Sequence, residues 1–175
     1  NRLDRDTSGL VLLAKNPYSS CVLSDAVKDH TIHREYAAIV SGKTDASGTI
    51  DLPIARKDGS TIELVCDPDR GETAVTHYRT FAYNKDADIS FIRLLLETGR
   101  THQIRVHMKA IGHPLPGDFL YCPDYRFIDR QPLHSTYLRF SHPVTGEKLE
   151  FCASLPEDMR KLFPDIKNPS GPVFF

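Results

Sequence analysis

Gly99-Arg100-Thr101-His102-Gln103-Ile104-Arg105-Val106-His107 is where the period of this sequence changes. Before it, Ile89 to Glu97 alternates, with Ile92, Leu94 and Leu96 on one face, which predicts a strand. After it, Ile104, His107, Met108 and Ile111 fall at i, i+3, i+4 and i+7. That is an amphipathic helix, stopped by Gly112 and Pro114, with His102, Arg105 and Lys109 sharing another face. A strand that feeds a helix bearing two guanidiniums and two imidazoles indicates both a fold class and a place to look for chemistry.

Working outward, the same two periods recur. Val75 to Phe81 alternates and is rich in β-formers, so it reads as a strand. Leu133 to Phe140 alternates too, and Leu149, Phe151 and Ala153 resume the pattern after a turn at residues 142–147, giving a hairpin. Towards the N-terminus, Ile32 to Val40 is a strand closed by Ser41-Gly42, and the apolar run from Gly9 to Ala14 predicts a buried one. Asn16-Pro17 supplies an N-cap and a first-turn proline for a helix running to about His30. Residues 43–72 are mixed, with turns at Asp58-Gly59 and Arg70-Gly71. Leu155, Met159, Leu162 and Phe163 suggest a closing helix, and the proline-rich end a loose tail. Hairpin-linked strands with few helices between them point to an α+β fold: a mixed, largely antiparallel sheet with flanking helices.

The chain has 175 residues, 40% hydrophobic and 26% charged, an ordinary composition that suits one domain. No apolar run approaches the roughly 18 residues of a membrane span, so no membrane partner and a cytoplasmic location are expected. Cys21, Cys66, Cys122 and Cys152 stand far apart, which excludes a Cys-x-x-Cys zinc site and predicts buried or idle thiols. Net charge is −1. Between Phe91 and His113, however, Arg93, Arg100, Arg105 and Lys109 face Glu97 alone, which predicts a local basic face. The sequence starts without Met, as a piece of a longer protein would.

The opening, Arg2-Leu3-Asp4-Arg5-Asp6-Thr7-Ser8-Gly9, places a carboxylate just before a Ser-Gly turn. A carboxylate nucleophile needs a fixed cation to stay ionised, so this stretch and residues 99–107 could build one site. In an extended segment Asp4 and Asp6 would share a face, as an acid and nucleophile pair for glycoside hydrolysis. Asp6-Thr7-Ser8-Gly9 matches the aspartic-protease Asp-Thr-Gly poorly, its glycine coming one residue late. His30-x-x-His33 and His102 with His107 lack a carboxylate or cysteine at ligand spacing, so no metal is expected. His77, His134 and His142 read as structural or hydrogen-bonding residues.

Taken together, these motifs closely resemble the RluA family of RNA pseudouridine synthases over nearly the whole chain. The opening is similar to that family's His-Arg-Leu-Asp-x-x-Thr-Ser-Gly, with Asn1 at the histidine position. Arg34-Glu35-Tyr36 resembles its second motif, and Gly99 to His107, continuing through Gly112-His113-Pro114 and Gly117-Asp118, its third. Leu133-His134 and residues 140–146 resemble the later ones. The resemblance implies a pseudouridine synthase catalytic domain over residues 1–165, lacking the family's leading Lys-Pro strand, and a C-terminal tail at 166–175. It implies isomerisation of uridine to pseudouridine in structured ribosomal or transfer RNA, with base flipping. Asp4 would be the nucleophile, attacking the sugar C1′ or removing a 2′ proton. Arg105 would pair with Asp4, Tyr36 would stack on the uracil and handle its C5 proton, and Leu133 would pack near the base. Arg2 is a further RNA-binding candidate. Arg100, His102 and Gln103, near a helix N-terminus, are candidates for the nucleotide's phosphates. The expected partner is RNA alone, with no cofactor and no metal, the protein acting as a monomer. The alternatives are a non-catalytic RNA-binding module of the same fold and a carboxylate-pair glycoside hydrolase.

Overall fold

Strand β2 (His33–Ser41) is buried on both faces from Glu35 to Val40, and the sheet is built around it. In this computed structural model, which describes residues 2–168 and 170–174, β2 lies antiparallel between β7 (Ile89–Leu96) and β8 (Leu133–Ser141). Asn1 lies outside the described residues. On one side the sheet continues from β7 to β6 (Val75–Asn84) and β3 (Ser47–Asp51), all antiparallel. On the other, two short strands share the free edge of β8: β1 (Ser8–Gly9), parallel, and β9 (Lys148–Cys152), antiparallel. A separate hairpin of β4 (Ile54–Arg56) and β5 (Leu64–Cys66) completes an α+β architecture, its sheet mixed but largely antiparallel. No helix among the described residues is long and apolar enough to cross a membrane.

The alternation of β2 sends its residues into two different cores. Tyr36, Ala38 and Val40, with Ile92 and Leu94 from β7, pack against Ile104 and Met108 of helix α2 (Gln103–Ala110). Ala37 and Ile39, with Ile89 and Phe91, pack against Met159 and Phe163 at helix α3 (Glu157–Leu162). Each face therefore has its own helix. Truncating a central, wholly buried side chain such as Leu94 to Ala should cost about 2–5 kcal/mol, the lost burial plus the cavity left behind.

Helix α1 (Pro17–Lys28) forms as its signals indicate, with the Asn16 side chain accepting from Ser19 N–H at 2.8 Å. The run from Gly9 to Ala14 does not. Ser8 and Gly9 pair with β8 and Leu10 N–H still donates to the Ser135 carbonyl at 3.0 Å, but β9 takes the β8 edge from Tyr137 onward and leaves no free edge for residues 11–14. Leu10 and Leu12 still turn inward against Leu23 and Leu138, while Val11 and Leu13 are exposed. The expected loose tail is another correction. Asn168 accepts from Leu155 N–H at 3.0 Å, and the backbone of Val173 and Phe174 is bonded to Glu35. None of the four thiols is buried: Cys21 and Cys152 are exposed, Cys66 and Cys122 intermediate, and all are unpaired.

Candidate active site

Two glycines bring the parts of the site together. Gly9, at φ +108°, lets β1 lie so close to β8 that a Cβ there would stand 2.2 Å from the Ser135 carbonyl oxygen. Gly117, at φ +77°, is equally confined, with the Ile128 and Arg130 carbonyls 2.5 Å from where a Cβ would be. The first fixes the turn that carries Asp4, closed by Thr7 N–H donating to the Asp4 carbonyl at 3.1 Å. Gln131, fully buried, donates to the Arg5 carbonyl and to Thr7 Oγ1, and Arg130 donates to the Asp6 carbonyl. The second glycine fixes Asp118.

Arg105 is where these parts meet. It is 1% exposed and points from α2 to a bidentate grip by Asp118, Nε to Oδ2 at 2.6 Å and Nη2 to Oδ1 at 2.8 Å. Nη1 donates to Asp4 Oδ2 at 3.1 Å, across 101 positions of sequence. The guanidinium carbon also lies 4.9 Å from the Tyr121 ring centre and 5.6 Å from that of Phe119. Burial works against its charge, but the bond and charge of Asp118, and then of Asp4, outweigh it and raise the pKa. The Asp4 side chain keeps 19% exposure, so part of its carboxylate stays open.

All eight residues singled out from the sequence line one cleft: Arg2, Asp4, Tyr36, Arg100, His102, Gln103, Arg105 and Leu133. Leu133 is buried, the first residue of β8, and packs with Tyr36 in the α2-side core. Burial raises the Tyr36 phenol's pKa, and the smaller opposing pull of Arg34 does not reverse this.

The phosphate candidates divide. Gln103 is buried with its amide committed: Oε1 accepts from Thr98 Oγ1 and Arg100 N–H, and Nε2 donates to the Val75 carbonyl and Thr76 Oγ1. It pins the loop before α2 to β6 and has nothing left for a phosphate. His102, the left-handed N-cap of α2, bonds Tyr121 Oη through Nδ1 at 2.9 Å. Burial and then Arg105 lower its pKa, which makes it a neutral ring rather than a cation. Arg100 remains available. Its exposed pair with Glu72 at 2.5 Å is of a kind worth about 0–1 kcal/mol, which a phosphate can displace.

The basic face expected between Phe91 and His113 does not form. Arg93 is buried on the α3 side against Glu35, Arg105 is buried beneath the cleft, and Lys109 stands 3.9 Å from Glu63. The glycosidase pair fails as well. Asp6 sits at φ +70° in an exposed contact with Arg5 and does not line the cleft. The second carboxylate on Arg105 is Asp118, which closes the far side of the guanidinium. His107 is structural, between Thr76 Oγ1 and the Leu52 carbonyl.

Sequence reasoning missed Asp118, Tyr121 and Arg34 as members of this site. Asp118 stood in plain view, an acid directly after a glycine within a quoted motif. Tyr121 carries no such signal. Its hydroxyl accepts from Leu64 N–H at 3.0 Å, and burial pushes its pKa up to about 12, so it is a neutral strut between β5 and His102.

An open carboxylate tied to a buried cation, in a partly enclosed cleft with arginines at its margin, is the layout of an enzyme-like site. Residues 1–110 match the family described as RNA pseudouridylate synthase, and the chain belongs to that family. It is 50% identical over 162 residues to an uncharacterized RNA pseudouridine synthase of Bacillus subtilis (strain 168), covering 92% of this chain and 56% of the relative. It is 42% identical over 173 residues to the ribosomal large subunit pseudouridine synthase D of Zymomonas mobilis subsp. mobilis, covering 93% and 54%. The chain thus spans little more than half the length of these curated relatives. Among solved structures, human RNA pseudouridylate synthase domain containing 1 shares the fold, with a TM-score of 0.77 at 24% identity over 97% of this chain and 81% of that one.

Proposed function

We propose that this domain converts uridine to pseudouridine in RNA, with Asp4 as the carboxylate that acts on the sugar. The observation that carries the reading is the 3.1 Å pair between Asp4 and Arg105 in a cleft that Tyr36 also lines. In the reaction the N1–C1′ bond breaks, the uracil turns, and a C5–C1′ bond forms. The C5 proton leaves and N1 takes one up, so nothing is oxidised or reduced and no cofactor is needed. Arg105 holds Asp4 in place through its Nη1 bond, while Asp118 holds Arg105. Tyr36 offers its ring to the uracil, and Leu133 closes the apolar side. Leaving the stack costs the nucleotide a few kcal/mol, which selects weakly paired uridines.

Relatives named for the ribosomal large subunit favour its RNA as the substrate. That the protein acts as a monomer in the cytoplasm is part of this proposal. The test is tritium release from a large-subunit ribosomal RNA transcript labelled at uridine C5. The unaltered chain should release tritium, and Asp4→Asn should abolish release while still binding the transcript. Undiminished release from Asp4→Asn removes Asp4 from the reaction. Binding without release by the unaltered chain makes it an RNA-binding module instead.

A further inference from the structure

Every arginine lining the cleft that is at least half withdrawn from solvent has a carboxylate partner, except one. Arg105 is held by Asp118 and Asp4, and Arg100 has Glu72. Arg34, partly buried on β2, has no carboxylate within pairing distance among the described residues, and its Nε is buried with no acceptor. Glu97, the acid of the adjoining hollow, is bonded to His77 instead. A guanidinium partly out of water and without an acceptor is a cost to the fold unless a ligand anion completes it.

The surroundings keep that position open. The alternation of β2 turns Glu35 to the far side and puts Arg34 on the cleft side with Tyr36, two residues or about 6.6 Å along the strand. Arg34 lines both the cleft and the hollow beside it, which meet at Gly99. Gly99 does not have a positive φ, so conformation does not demand glycine there. A Cβ at Gly99 would stand 3.1 Å from Arg34 Nη2 and 3.2 Å from Nη1, a tight contact that the arginine tip would have to relieve by shifting a few tenths of an ångström. The terminal nitrogens thus face a gap in the wall, next to the ring assigned to the uracil. With Asp4 the only acid lining the cleft, Arg34 is surplus positive charge at the place where a flipped nucleotide's backbone would pass.

We infer that Arg34 binds a backbone phosphate of the RNA beside the target uridine, its planar fork matching two phosphate oxygens. This rests on the reading that the cleft takes RNA, and deepens it by assigning the flanking phosphate. The experiment is filter binding of a large-subunit ribosomal RNA transcript across a salt series, with every variant made on an Asp4→Asn background so that turnover does not intervene. Arg34→Gln should weaken binding about tenfold and reduce the slope of log K against log salt by about 0.7, one single-strand phosphate contact. Arg34→Lys should recover the slope, because the charge is restored, but only part of the affinity, because lysine cannot fork. A slope unchanged in Arg34→Gln, whatever the affinity does, overturns the inference, as does Arg34→Lys behaving like Arg34→Gln. Tritium release by the unaltered chain together with an unchanged slope rejects Arg34 alone. No release with a reduced slope keeps Arg34 and rejects the isomerase reading.

Discussion

The sheet carries a buried arginine–carboxylate pair on each face, and the two are built to opposite ends. On the α2 face, Arg105 meets Asp118 through two bonds and still has Nη1 for Asp4. On the α3 face, Arg93 donates to Glu35 at 2.7 Å, and both are almost wholly buried. Glu35 also accepts from Val173 N–H at 2.9 and 3.0 Å and from Phe174 N–H at 3.3 Å, so its oxygens are used up inside the protein. The arginines differ in the same sense. Burial lowers the pKa of Arg93 despite Glu35, and its Nε has no acceptor, whereas the two carboxylates on Arg105 more than offset its burial. Burial and pairing alone therefore do not mark a site. The mark is a carboxylate whose remaining lone pairs face a cleft, as those of Asp4 do and those of Glu35 do not.

The largest effects should come from orphaning a buried charge. Arg105→Met leaves Asp118, 0% exposed, without its cation, and should cost about 3–5 kcal/mol in urea unfolding as well as all tritium release. Asp4→Asn should abolish release at a cost of about 1 kcal/mol or less, since Asp4 is partly exposed and Arg105 keeps Asp118. Equal destabilisation by the two would mean that Asp4 is as structural as Asp118, and the contrast between the faces would fail.

Next in size is the C-terminal segment. Ending the chain at Gly171 removes the Val173 and Phe174 amides from Glu35, and such bonds to a buried charge are worth about 1–3 kcal/mol. Urea midpoints should fall accordingly, and tritium release at a temperature where the domain stays folded should persist. A loose tail would leave the midpoint unmoved.

Much of this was legible in the sequence, for reasons that explain what was not. Strands β2, β6, β7 and β8 and helices α1 and α2 announce themselves because one or both faces are buried in register with a period. Residues 11–14 misled because an apolar run does not reveal that β9 already occupies the edge it would need. The Asp4–Arg105 pair came from motif resemblance; spacing alone could not join positions 101 residues apart. Nor could composition separate Arg93 from Arg105, twelve positions on, although one strand's alternation sends Arg93 to the α3 face. Arg34 was read as part of a motif valued for its tyrosine, and its lack of a partner is a property of the fold.

Between pH 7.5 and 5.5 acid should act through the buried histidines, of which His102 lines the cleft. Burial lowers the pKa of His102 and His107, and of His134 on β8. An unfolded chain binds these protons at about pH 6.5, whereas the folded one refuses them until the pH is lower. Below about 6.5 the unfolded state therefore holds more protons, and stability falls as pH falls; above 6.5 these groups contribute no slope. His107, wholly buried, can account for at most about 1.4 kcal/mol at one unit below that value. The check is the difference between urea midpoints at pH 7.5 and 5.5, which His107→Gln should narrow. An unaltered difference would mean that His107 titrates alike in both states.

The smallest expected effect discriminates best between the faces. If Arg93 and Glu35 serve only to fill and neutralise the interior, removing both charges together should be nearly neutral. Glu35→Met with Arg93→Met keeps comparable volume, ends the unpaired Nε, and leaves only the Val173 and Phe174 amides to seek water. Replacing a buried pair by apolar groups is commonly neutral or stabilising, while removing one partner is costly. The double variant should lie within about 1 kcal/mol of the unaltered chain and still release tritium. Replacing Arg105 and Asp118 together by Met should spare the fold in the same way but end release, because Asp4 then has no cation. Were the first double variant inactive while folded, Glu35 and Arg93 would be acting on the cleft through β2, and the division of labour between the two faces would not hold.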